Sequence, residues 1–128
     1  MSKGEEVATT TVHYLPAQNP TVKAQAEIKA GTFVQIAAGI DGRNPVVKPG
    51  TAGAVAFGVP AQDTAKDRHV MVYRAGHIVD VAATGSIAAG DPVAVGANGA
   101  AVKAADSAAV AGIAVSAAVG NVVTVALK

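Results

Sequence analysis

A chain of 128 residues has room for one domain or two small ones. Ala (30), Val (21) and Gly (14) fill just over half of it, while Leu occurs twice and Cys and Trp never, which excludes a disulfide framework and a thiolate metal site. Ten basic against nine acidic side chains, clustered nowhere, do not make a nucleic-acid-binding surface, and 51% apolar residues are too many for a disordered chain.

Residues 1–26 contain Thr9-Thr10-Thr11 and two prolines, Pro16 and Pro20, with Val12, Tyr14 and Leu15 among them. Proline lacks a backbone donor and cuts a strand short, so this segment is expected as an extended N-terminal arm, with residues 27–128 as the β-domain. Met1–Glu6 carries charge with no apolar run behind it, so no secretory signal is expected. No apolar stretch reaches the roughly 18 residues of a membrane helix. Synthesis in a cytoplasm and no membrane partner follow as expectations.

From residue 27 onward, alternation dominates. Pro45 and Pro49 bracket Val46-Val47-Lys48, which reads as a short edge strand or bulge. Val55, Phe57 and Val59 alternate with small residues, and the pairs Val70/Val72, Val79/Val81, Val93/Val95 and Ile113/Val115 do the same. Val123, Val125 and Leu127 close the series. A period of two places each set on one face of a strand, and stiff, β-branched Val suits a pleated core surface. Asp41-Gly42, Asn98-Gly99 and Gly120-Asn121 supply the turn chemistry of hairpins. In the Ala-rich stretch 100–118, Gly112 interrupts any helical stripe, and a strand is expected from Val110 to Ser116.

The chain echoes itself. Ile28–Ile36 (IKAGTFVQI) resembles Ile87–Val95 (IAAGDPVAV). Each is followed by a Val-Lys pair, an apolar-Gly-apolar step (Phe57-Gly58-Val59, Ala111-Gly112-Ile113) and a Val-rich strand, at an offset that drifts from 59 to 53. The fold class expected is all-β: a small β-barrel or β-sandwich built from two loosely similar β-units, with the arm in front. Large apolar side chains are few, so the core is thin, and contacts with other copies or a larger body would compensate.

Groups for chemistry are sparse. His13, His69 and His77 show no metal-ligand spacing. His69 and His77 with Asp67 and Asp80 are the one conceivable His/Asp metal cluster, and Ser86 with His77 and Asp80 the one conceivable triad; hydrogen-bonded surface residues are the simpler reading of both. Gly39–Gly42, Gly50–Gly53 and Gly96–Gly99 have glycines at i and i+3 but no phosphate-loop pattern, and read as turns. No catalytic residue, metal ligand or cofactor-binding residue is assigned.

The order Ile28–Val34, Val55-Ala56-Phe57-Gly58-Val59, Val72–Val81 (VYRAGHIVDV), Ile87–Val93, Ala111-Gly112-Ile113-Ala114 and a terminal Val-rich strand resembles the head decoration, or capsid cement, proteins of tailed bacteriophages. The resemblance covers about residues 24 to 128. It implies a non-enzymatic β-domain on the outer surface of the virion capsid, self-associating as a homotrimer, with the major capsid protein as partner and no cofactor. It also implies that such a domain bridges neighbouring capsid subunits and stabilises the shell. Val12, Tyr14, Leu15 and Pro16 of the arm are then the candidates for clamping an adjacent subunit by strand addition. The alternatives are a tail or fibre β-module that binds a host surface, and a small β-barrel enzyme.

Overall fold

The structure is a computed structural model and describes residues 19–128. Its strands are β1 (Thr21–Ala24), β2 (Val34–Asp41), β3 (Asn44–Pro49), β4 (Val59–Pro60), β5 (His69–Tyr73), β6 (Ile78–Ala82), β7 (Pro92–Val95), β8 (Ala101–Lys103), β9 (Gly112–Ala114) and β10 (Val122–Leu127). One 3-10 turn at Ala97–Gly99 joins β7 to β8. The fold is all-β, as expected, in two five-stranded sheets ordered β2-β3-β1-β5-β4 and β6-β10-β9-β7-β8. It is sandwich-like; among the described residues no barrel is closed.

The two orders are one cyclic order opened at different places. In the first unit (residues 21–73), β3 pairs with β2 antiparallel and with β1 in parallel, β1 pairs with β5, and β5 with β4. A single bridge, Val34 to Gly58, returns from β2 to the start of β4. Moving each strand five places along the chain gives the second unit (residues 78–127). There β8 pairs with β7, β7 with β9, β9 with β10, and β10 with β6. The parallel β1–β3 ladder has shrunk to one parallel bridge, Ala83 to Ala101. The seam therefore lies between β2 and β4 in one unit and between β6 and β8 in the other.

The interiors match as closely as the pairings. One core cluster contains Val22, Ala24, Ile28, Val34, Val47 and Val72. Their counterparts, Val81, Ala83, Ile87, Val93, Ala101 and Val125, all belong to the second cluster. The repeated glycine of the apolar-Gly-apolar step has a steric cause. A Cβ on Gly58 would lie 2.6 Å from the Tyr73 carbonyl oxygen, and one on Gly112 2.4 Å from that of Ala126. Tyr73 and Ala126 are themselves equivalent, so in both units the backbones meet too closely for any side chain.

The units join through Phe33 and Val59, which leave the first unit to lie in the second unit's cluster. The Phe33 N–H donates to the Gly99 carbonyl (2.8 Å), the Gly53 N–H to the Val95 carbonyl (3.0 Å), and the Ala82 N–H to the Gly31 carbonyl (2.8 Å). Backbone hydrogen bonds thus fix the joint around one aromatic ring.

Four expectations are corrected. Thr21–Ala24, placed in the arm on the strength of Pro16 and Pro20, is a strand between β3 and β5, with Val22 and Ala24 buried. Val46-Val47-Lys48 is no edge strand but lies inside its sheet, while the bulge, the other reading, is met beside it. Pro45 sits where the β2–β3 register shifts and Pro49 at the ladder's end, so neither removes a needed donor. The strand expected over Val110–Ser116 is only Gly112–Ala114, and its facing is reversed: Gly112 and Ala114 point inward, Ile113 and Val115 outward. Gly112 lies against β10, which leaves no room beneath β9 for large side chains. The Val55–Val59 alternation is likewise a strand only at its end, and Val55 is exposed.

Candidate functional site

The sheets set the outer surface. In β6, β10 and β9, inward Val81, Val123 and Val125 alternate with outward Ile78, Ala126, Ile113 and Val122. The register lines these up in rows. Ala126 lies between Ile78 and Ile113, and Ile113 pairs onward with Pro92. In the next row Thr124 faces Asp80 and donates its hydroxyl to the carboxylate at 2.7 Å. Beyond it Val122 faces Ala82 and bridges to Val119. Ile78 is 64% exposed, Val119 78% and Ile113 43%. The result is a largely apolar face with one carboxylate, which is already hydrogen-bonded.

The equivalent face of the first unit is polar. Thr21 faces Met71, and Lys23 faces His69. The Lys23 ammonium is 3.0 Å from an Asp41 carboxylate oxygen, and this hydrogen bond and charge raise the Lys23 pKa above its usual value. The first unit's apolar surface lies elsewhere. Ile36, Val55 and Phe57 line a shallow depression of about 330 Å³, closed on one side by Arg74. The Arg74 guanidinium stacks 4.2 Å from the Phe57 ring centre and donates from Nε to the Phe57 carbonyl at 2.7 Å. This holds a cation over an aromatic face. Ile40, half-exposed, extends the apolar strip along β2, an edge strand of its sheet.

The arm candidates Val12, Tyr14, Leu15 and Pro16 lie outside the described residues. The groups weighed for chemistry have other partners. Asp80 holds Thr124, and His77 packs tilted against Tyr73 with ring centres 5.1 Å apart, its Nδ1 3.2 Å from the Arg74 carbonyl. His69 faces Lys23 across the β1–β5 ladder. Among the described residues, no three His, Asp or Glu side chains gather as a metal site, and no helix is long and apolar enough to cross a membrane. The outward rows of β6, β10 and β9 were not among the sequence candidates. A signal for them was present in the consecutive apolar residues Ile78-Val79 and Val122-Val123, which mark strands apolar on both faces.

Comparison with known proteins supplies the remaining facts. A family model described as phage cement protein matches residues 15–128. The head fiber gp8.5 N base in bacteriophage phi29, a crystal structure, superposes with a TM-score of 0.69 at 25% sequence identity, over 84% of this chain and 91% of that one. No curated protein matches.

Proposed function

From the premise that the chain belongs to the phage cement protein family, we propose that it decorates the outer surface of a bacteriophage head, binding the major capsid protein and bridging its neighbouring subunits. The coarser statement needs no proposal: this is a structural, capsid-associated virion protein. The match across residues 15–128 carries the reading, because it spans both β-units. A body with a thin core and reinforced backbone joints suits the task. Each contact can be weak, since a repeating lattice multiplies them, and binding to the folded form alone stabilises both partners.

In this reading the Ile36–Val55–Phe57 depression, with Arg74 at its rim, is the capsid contact, and the chain acts as a homotrimer. Val12, Tyr14, Leu15 and Pro16 clamp an adjacent subunit. The test is to add the purified chain to expanded, undecorated heads and image them. Ordered density at fixed lattice positions on the head exterior, with a raised disruption temperature, is expected. Failure to bind, or density on tails instead, overturns the proposal. Val55→Asp should lower head occupancy while leaving the melting temperature unchanged. Deleting residues 1–18, which spares β1, should also lower occupancy; full occupancy would remove the arm from the account.

A further inference from the structure

We infer that the outer face of β6, β10 and β9 docks a second copy of this chain. The inference rests on the self-association in the proposed function and assigns it a surface. The internal repeat supplies the reason. Val59 on β4 and Ile113 on β9 occupy the same position in the two units, each beside the equivalent residues Tyr73 and Ala126. Val59 is 2% exposed because the second unit covers it: Val59 lies in that unit's core cluster, and Tyr73 packs against the same cluster. Ile113 is 43% exposed, and Ile78, across Ala126 from it, 64%. The position that one β-unit of this chain covers in the first unit is bare in the second.

The chemistry of the face fits the same kind of cover. Its side chains are mostly Ile, Val and Ala, with Pro92, Thr124 and Asp80 among them, all short enough for sheet-to-sheet approach at about 10 Å. Its one carboxylate, Asp80, already accepts the Thr124 hydroxyl. Lys23 and His69, which would resist burial, stand only on the first unit's equivalent strands. Contiguous exposed apolar side chains rimmed by polar ones mark interaction surfaces. The body that covers the equivalent position is a β-unit of this chain, so the occupant is another copy. A docking contact that joins unlike surfaces of two copies closes into a ring when the rotation between copies allows.

The chain has no cysteine, so single cysteines report on the surface directly. Ile78→Cys and Ile113→Cys, in the full chain without heads, should be protected from a maleimide probe when concentrated and reactive when diluted. Val55→Cys should react at both concentrations. Ile113→Lys should shift sedimentation from the oligomer to the 12.5 kDa chain, with a melting temperature that no longer rises with concentration and matches that of dilute wild type. Full reactivity of both cysteines in a demonstrated oligomer, or an Ile113→Lys protein that stays oligomeric, overturns the inference. So does a chain that is monomeric at every concentration, or protection that arises only on addition of heads, which would give the face to the capsid. Head binding is measured separately, so failure here leaves capsid decoration standing.

Discussion

The two β-units of this chain share an interior and differ outside. Six buried positions recur with the same orientation, and the same strand pairings recur in the same cycle. On the equivalent outer strands, however, Thr21, Lys23 and His69 in one unit correspond to Asp80, Ala82 and Val122 in the other. The pairing cycle and the volume it encloses tightly restrict the interior. The outer positions are restricted only by what they meet, so their divergence marks where each unit does separate work. Phe33 belongs to neither pattern: its counterpart, Pro92, is exposed, because the ring serves the joint between units.

Breaking that joint should have the largest effect. Phe33→Ala removes a fully buried ring shared by both units and should cost about 3–5 kcal/mol in denaturant unfolding. A cost comparable to a surface change would mean that the units are joined elsewhere. Next come the paired glycines. Gly58→Ala and Gly112→Ala each force a Cβ against a carbonyl oxygen, and each should cost about 1–3 kcal/mol. Gly39→Ala, with nothing within 4 Å, should stay within about 0.5 kcal/mol of wild type. A milder test of equivalence is Ile28→Val against Ile87→Val, where similar losses of about 0.5–1.5 kcal/mol are expected. Clearly unequal losses would show that the cores are alike in position only.

The smallest effect tests the difference between the outer faces. The raised pKa of Lys23 means that its pairing with Asp41 favours the folded state at pH below the unfolded lysine value, ~10.4, and that this help fades as pH rises through the higher folded value. Thermal melts of wild type and Lys23→Met should differ slightly near neutrality and converge in strong alkali. The pair is exposed, so a large difference would point to a role beyond ion pairing.

How much of this was legible depended on local redundancy. β10 is legible because the Gly120-Asn121 turn marks its start and Val123, Val125 and Leu127 all point inward. The repeat was visible at Ile28 and Ile87 because both precede an Ala-Gly turn with positive φ at Gly31 and Gly90. β1 was missed because four residues behind two prolines carry little pattern, and their partners lie far along the chain. β9 was found but turned inside out, because alternation cannot tell which face has room for Val and which only for Gly. The apolar outer face was hidden by composition: where Val and Ala are everywhere, outward Ile78 and Val122 look like more core.

The differing seams have a mechanical consequence. A ladder resists shear with several hydrogen bonds loaded at once, whereas a lone bridge parts by itself. Tension across the first unit would open it between β2 and β4, at the Val34–Gly58 bridge, and tension across the second between β6 and β8, at Ala83–Ala101. The weak lines fall at non-equivalent places in the two pairing cycles, so where one unit has a lone bridge the other has a ladder, β7–β9 or β1–β3, as staggered joints do in masonry.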